Sequence, residues 1–404
     1  MARILILIGA HLCMAPRPQK EARALADAGH DVTVRGFAFD EEFARRDRAI
    51  VDAASWRYEP IADLRSGLTP IRLRARRRIA GTLYRAAHCA SVDLFGYGAR
   101  EMLAAARKEN ADLTIVHSEA GLWVGTRLLA EGRRVGVDFE DWFSEDLLPR
   151  DRRDRPVGLL REWEQQLACA CRYALAPSLA MSNAIAASFD APPPAVVRNV
   201  FPREGEPDFE PERRADHGVS LHWYSQTIGP GRGLEMLMQA LHRVAAPVRV
   251  VLRGRCSESY RNALLAEAPE QARGRILVEG SVPPDQLAAS IARHDIGLAL
   301  EDSSVRSRDL TITNKLFEYL RGGLAVIATP TTGQREVFAE RPGIGVLLES
   351  STPDALAAAI DSLVADAARL AACRSAARLA FEEQFNWERE RGILVERAEA
   401  ALAS

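Results

Sequence analysis

The chain has 404 residues, of which 47% are hydrophobic and 27% charged, with a net charge of −2. That length exceeds one ordinary core and suits two domains, and the composition excludes a disordered, collagen-like or coiled-coil chain. The near-neutral balance excludes a dedicated nucleic-acid binder, which carries a large basic excess.

The chain opens on a brief apolar run, Ile4 to Gly9, followed at once by a Pro-containing loop and an amphipathic period. A first buried strand explains this better than a signal peptide. No stretch approaches the ~20 apolar residues of a membrane span, so a cytoplasmic protein is expected. Strands are predicted at 3–9, 31–36, 112–117, 134–138, 172–176 and 195–198, and helices at 18–28, 75–108, 119–131, 157–171 and 178–188. Such alternation means parallel βαβ units. Within it, arginines at 65, 72, 74, 76, 77, 78 and 85 interleave with Leu68, Ile71, Leu73, Ile79 and Leu83. Two readings fit: a solvated helix, or a basic amphipathic surface, Arg72–Arg78, meeting anionic lipid at the inner membrane face.

Cys169 and Cys171 fall in an Ala-rich helical stretch and read as small buried thiols. None of the six cysteines has zinc-ligand spacing, which fits a reducing compartment. Residues 201–217, rich in Pro, Gly and acid, read as a linker between a domain at 1–200 and a second at 218–384. In the second, strands are predicted at 219–225, 247–253, 275–278, 295–300, 324–328 and 344–348. Helices are predicted at 232–243, 257–267, 284–292, 313–321, 332–340 and 353–371. A last helix, about 385–404, is expected to pack back on the first domain. The fold class is therefore α/β, with two Rossmann-like, doubly wound parallel sheets facing a shared cleft, and ligand expected at the strands' carboxyl ends.

Two segments of the second domain carry chemistry. Ser225-Gln-Thr-Ile-Gly-Pro-Gly-Arg-Gly-Leu-Glu235 follows a strand and opens a helix. Gly229, Gly231 and Gly233 allow backbone N–H groups close approach to an anion, and Arg232 adds a forked cation. A purely structural turn is the alternative reading. In Thr311-Ile-Thr-Asn-Lys-Leu-Phe-Glu-Tyr, Asn314 or Thr313 can cap a helix and Lys315 sits in its first turn. A cation there is unfavourable unless an anion accompanies it. Only three of the 53 basic residues are lysines, Lys20, Lys108 and Lys315, so a lysine here is notable. Either Lys315 and Glu318 clamp a phosphate and a ribose, or they form an i,i+3 ion pair on a solvated face.

These segments, with Arg-Gly-Gly-Leu-Ala-Val-Ile-Ala-Thr and Thr332-Gly-Gln-Arg-Glu336, resemble the donor domain of GT-B glycosyltransferases of family 4 (group 1). The resemblance implies sugar transfer from a nucleoside diphosphate donor (a UDP-, GDP- or dTDP-sugar) to a sugar, lipid-linked or small-molecule acceptor. It also implies retention of configuration and no metal or other cofactor. Arg232 and Lys315 would hold the diphosphate, Glu318 the ribose, and Gly333 the donor. The family's first acid of E-x7-E falls at Leu310, and Asp309 is expected to stand in for it.

On the acceptor side, the loop after the first strand offers His11 and Lys20, and His117 ends the strand at 112–117. Val137-Asp-Phe-Glu-Asp141 ends the next strand, where relatives read Asp-x-His-Glu, so Glu140 takes the place of the histidine. Glu140 and Asp141 are the candidate catalytic acids, beside His117 and Asp309. Asp138, Glu140 and Asp141 could suggest magnesium, but that motif belongs to a different fold, and no metal is expected. The competing readings are a nucleotide-sugar 2-epimerase of the same fold and a non-catalytic sugar-nucleotide-binding partner subunit.

Overall fold

The computed structural model describes residues 1–148, 152, 155–205, 207 and 218–403. Most of the predicted linker, residues 206 and 208–217, lies outside them. The chain divides into two compact units, Met1–Val197 with Arg391–Ser404, and Arg198–Glu390.

The first unit holds seven parallel strands: β1 (Arg3–Leu7), β2 (Asp31–Ala38), β3 (Arg57–Asp63), β4 (Leu113–Val116), β5 (Val135–Asp138), β6 (Tyr173–Ala176) and β7 (Ala195–Val196). Their order is β3-β2-β1-β4-β5-β6-β7. β4, β5 and β6 are buried at every residue because helices cover both faces, which is why they read as near-continuous apolar runs. The second unit holds six: β8 (Val219–Ile228), β9 (Val248–Cys256), β10 (Ile276–Glu279), β11 (Ile296–Ala299), β12 (Ala325–Ala328) and β13 (Gly345–Leu347). Their order is β10-β9-β8-β11-β12-β13, again all parallel. Its core packs Leu221, Trp223, Leu252, Leu298 and Ile327 with the covering helices. In each sheet the strand order reverses beside the first strand, at β1/β4 and β8/β11. Those are the switch points where such folds bind ligands.

Several expectations need correction. β3 was not foreseen: it mixes charged with apolar residues and is mostly exposed, and Pro60 lacks an N–H, as an edge strand tolerates. The helix Glu41–Asp52, capped by Asp40, was also missed. The helix predicted at 75–108 is two, Leu68–Ala87 and Ala99–Glu109. His88 ends the first in the left-handed region at φ 51. The helix at 353–371 is likewise two, because the Asp366 carboxylate accepts the Arg369 N–H at 2.9 Å and starts a new one. Cys169 is exposed and Cys171 half-buried, so they are not a buried thiol pair. The last helix, Trp387–Leu402, crosses the unit boundary, and from Arg391 its residues belong with the first unit. No helix among the described residues is long and apolar enough to cross a membrane.

Candidate functional site

In the second unit, β8 leads through Gly229–Gly233 into the helix Leu234–Ala240. Gly233 precedes that helix at φ 77, and a Cβ there would lie 2.6 Å from Leu300 Cβ, so only glycine fits. Gly231 also has positive φ, 71°, yet a Cβ on it would meet nothing within 4 Å. The turn is therefore tight at its base and open at its tip. Arg232 is exposed at that tip, with Nη1 3.4 Å from Ser225 Oγ.

Beyond β11 comes the helix Asn314–Gly322. Its position is fixed from below. A Cβ on Gly297 of β11 would fall 2.2 Å from the Tyr319 ring, so glycine lets that ring lie on the sheet. The Tyr319 hydroxyl then donates to His222 O on β8 at 3.1 Å. Thr313 is the N-cap but makes no capping bond; its hydroxyl donates instead to Glu301 at 2.9 Å. Asn314 does not cap either, and its Oδ1 accepts from Asn199 at 2.9 Å.

Lys315 is 8% exposed, and its Nζ lies 2.6 Å from Glu301 Oε1 and 5.4 Å from the Trp223 ring centre. The anion its position calls for is thus present within the protein, and it is Glu301 rather than Glu318. The solvated-face pair is excluded: Glu318 is buried, with Arg321 Nη1 at 3.7 Å. Glu301 ends the run Ile-Gly-Leu-Ala-Leu-Glu, and an acid directly after a buried parallel strand was the available signal for it.

Asp309 is committed elsewhere. Its two oxygens accept the Thr332 N–H at 3.1 Å and the Thr332 hydroxyl at 2.6 Å, binding the short helix Arg306–Leu310 to the first turn of Thr332–Glu340. Gly333 lies in that turn, and a Cβ on it would approach Leu310 O and Thr311 O to 2.6 Å. Its glycine is required by packing, with no ligand needed to explain it.

In the first unit a charged cluster lies under the carboxyl ends of β1, β4 and β5. His117 is fully buried, its Nε2 is 2.7 Å from Glu21 Oε2, and its Nδ1 is 3.8 Å from Glu140 Oε2. The Tyr173 hydroxyl donates to the other Glu21 oxygen. Arg17 Nε donates to Asp138 Oδ2 at 2.6 Å and its Nη1 to Val197 O at 2.7 Å. Burial pushes the His117 pKa down, but the Glu21 charge and hydrogen bond, with the nearby Glu140 carboxylate, prevail and hold it well above the ordinary value. The protonated ring is thus favoured, bonded to Glu21 through Nε2 and facing Glu140 at 3.8 Å through Nδ1. The next residue, Ser118, has φ 69, a strained backbone pressed against Gly9, where a Cβ would meet Ser118 Oγ at 2.7 Å.

Glu140 is half-buried and Asp141 exposed, so of the three acids at the end of β5 and just beyond it only Asp138 is fully enclosed. The segment after β5 is held by Glu164, whose oxygens accept the Ser144 N–H at 3.0 Å and the Trp142 Nε1–H at 3.2 Å. Among the described residues, Glu21, His117 and Asp138 have ligand-type atoms within 4.8 Å of one another, with Arg17 Nε 2.6 Å from Asp138 Oδ2.

His11 departs from expectation. It is enclosed, with Nδ1 2.6 Å from Asp47 and Nε2 accepting the N–H groups of Phe39 and Asp40 at 2.8 and 3.0 Å. Both nitrogens are used in fixing the loop after β1. Lys20 is half-buried on the helix Pro16–Asp27. Arg17, Glu21, Tyr173 and Glu301 were missed by sequence reasoning. Arg17, Glu21 and Leu25 recur at four-residue steps, which places two charges on the buried face of that helix.

Residues 232–392 match the family described as glycosyl transferase-like. No curated protein matches the chain by sequence. Solved structures match over both units. The chain is 17% identical to Anabaena HepE, solved with UDP and glucose, covering 99% of this chain and 100% of that one at a TM-score of 0.70. It is 16% identical to sucrose-phosphate synthase of Thermosynechococcus elongatus, covering 100% of each at a TM-score of 0.74. It is 12% identical to the UDP-GlcNAc 2-epimerase of Neisseria meningitidis, covering 98% of this chain and 100% of that one at a lower TM-score of 0.58. The fold is that of the GT-B glycosyltransferases.

Proposed function

We propose that the protein is a metal-independent glycosyltransferase that moves a sugar from a nucleoside diphosphate donor to an acceptor hydroxyl with retention. One observation carries this reading. The glycosyl transferase-like match spans the stretch that sets Arg232, Lys315 and Glu318 around the carboxyl ends of β8 and β11. HepE, of the same fold, was solved with UDP and glucose, so a UDP-sugar is the first donor to test, with GDP- and dTDP-sugars next.

In this reading the open tip at Gly231 and the Arg232 guanidinium receive the diphosphate. An ammonium group has three N–H donors; Glu301 takes one from Lys315, and a phosphate oxygen would take another. Charge building on the departing diphosphate is then met by fixed donors. Glu318 would bind the ribose hydroxyls. Asp309 would act through Thr332, shaping the turn rather than touching the donor. On the acceptor side Glu140 would orient the hydroxyl, steadied by the His117 imidazolium, with Asp141 and Lys20 at the margin.

Incubating the protein with each nucleotide sugar and candidate acceptors in excess EDTA tests this. Transfer with retained configuration is expected. Conversion of free donor to its 2-epimer would support an epimerase instead, and binding without turnover a partner subunit.

A further inference from the structure

We infer that the helix Leu68–Ala87 is a docking surface for anionic lipid, a property separate from sugar transfer. Its sequence holds six arginines and no acid. One face, with Pro70, Leu73 and Ala80, is buried against the first unit. On the opposite side Leu68, Ile71, Ala75, Ile79, Leu83 and Ala86 recur at three- and four-residue steps, so they form one stripe. That stripe is uncovered: Leu68 is 83% exposed, Ile71 63%, Ile79 59% and Leu83 49%. A solvated helix would carry charge there. Here the charge borders the stripe instead, with Arg74, Arg78 and Arg85 along one edge and Arg72 and Arg76 along the other.

The borders are also available. Arg76 pairs with Glu101 at 2.8 Å and Arg77 stacks over Tyr97 at 4.9 Å, but Arg72, Arg74, Arg78 and Arg85 make no ion pair among the described residues. An apolar stripe flanked by unpaired cations matches the acyl–headgroup boundary of an acidic bilayer, where the side chains enter and the guanidinium groups meet lipid phosphates. Charge also argues against a second copy as the occupant. A symmetric contact sets each patch on itself, arginine against arginine.

The test is co-sedimentation with vesicles of phosphatidylglycerol and phosphatidylcholine, and of phosphatidylcholine alone, at low and high salt. The wild-type chain should pellet with the acidic vesicles at low salt, less at high salt, and little with phosphatidylcholine. The double substitution Ile71→Glu with Ile79→Glu should lower the bound-to-free ratio roughly tenfold or more. Its melting temperature and nucleotide-sugar binding should be unchanged, because both side chains are exposed and distant in sequence from the donor residues. Lipid docking and donor binding can therefore fail independently. Absence of pelleting at low salt, equal pelleting of variant and wild type, or binding indifferent to lipid charge would each overturn the inference. So would a self-association that the double substitution abolishes without any vesicle binding.

Discussion

At the scale of single residues, the account turns on two buried basic groups, Lys315 beside Glu301 and His117 beside Glu21 and Glu140. Lys315→Ala removes the partner of Glu301, whose side chain is 21% exposed. The ligand-free protein should lose about 1–3 kcal/mol, as when one member of a partly buried pair is deleted. Glu301→Gln keeps an acceptor for the Thr313 hydroxyl and releases Lys315, so donor affinity should hold or rise while in Lys315→Ala it falls. If the two variants lose stability equally and donor affinity moves in neither, Lys315 is a structural ion-pair residue only. For His117 the sign is worked from its raised pKa. The stability its ion pair contributes is fully present below about pH 6.5, the ordinary histidine value, and is lost as pH rises through the raised folded value. Turnover that depends on Glu140 being steadied by the imidazolium should fall over the same alkaline limb. Glu140→Gln should lower kcat roughly 100-fold or more with donor Kd nearly unchanged; steady-state kinetics beside donor titration checks both. The need for an anion near Lys315 was legible from its place in a helix's first turn. The identity of that anion was not, because Glu301 lies in the loop after β11, fourteen residues earlier.

At the scale of elements, two glycines that look alike in sequence should behave differently. Gly333→Ala forces a Cβ against two carbonyl oxygens at 2.6 Å and should cost about 2–4 kcal/mol by thermal or denaturant unfolding. Gly231→Ala meets no atom and pays only the left-handed backbone term, about 1–2 kcal/mol. Its larger effect should be on donor affinity. The segment after β5 has a pH signature of its own. Burial lifts the Glu164 pKa from 4.5 to about 7 against the opposing hydrogen bonds from Ser144 and Trp142. A raised folded value means that this contribution is complete below about pH 4.5 and disappears as pH climbs through 7. It amounts to about 3 kcal/mol and should be missing from the stability–pH curve of Glu164→Gln. Identical slopes for the two proteins between pH 5 and 8 would reject it. The elements read correctly from sequence were those with near-continuous apolar runs, such as β4 and β6. β3 escaped because an edge strand needs no such run, and the split at His88 escaped because a histidine, not a glycine, adopts the left-handed turn there.

At the scale of the whole molecule, the same winding occurs twice, and each unit brings its chemistry to its own switch point. The first gathers His117, Glu21 and Glu140; the second gathers the open Gly231 tip, Arg232 and the Lys315–Glu301 pair. That duplication was legible because strand and helix periods alternate along the chain and restart near residue 218. The most direct test of the central claim is calorimetric titration of UDP-, GDP- and dTDP-sugars into wild-type and Lys315→Ala protein in excess EDTA. The account predicts that one of these donors binds the wild type without metal, and that Lys315→Ala weakens it by roughly tenfold or more. Binding of none of them, binding that requires magnesium or manganese, or an affinity untouched by Lys315→Ala would contradict it.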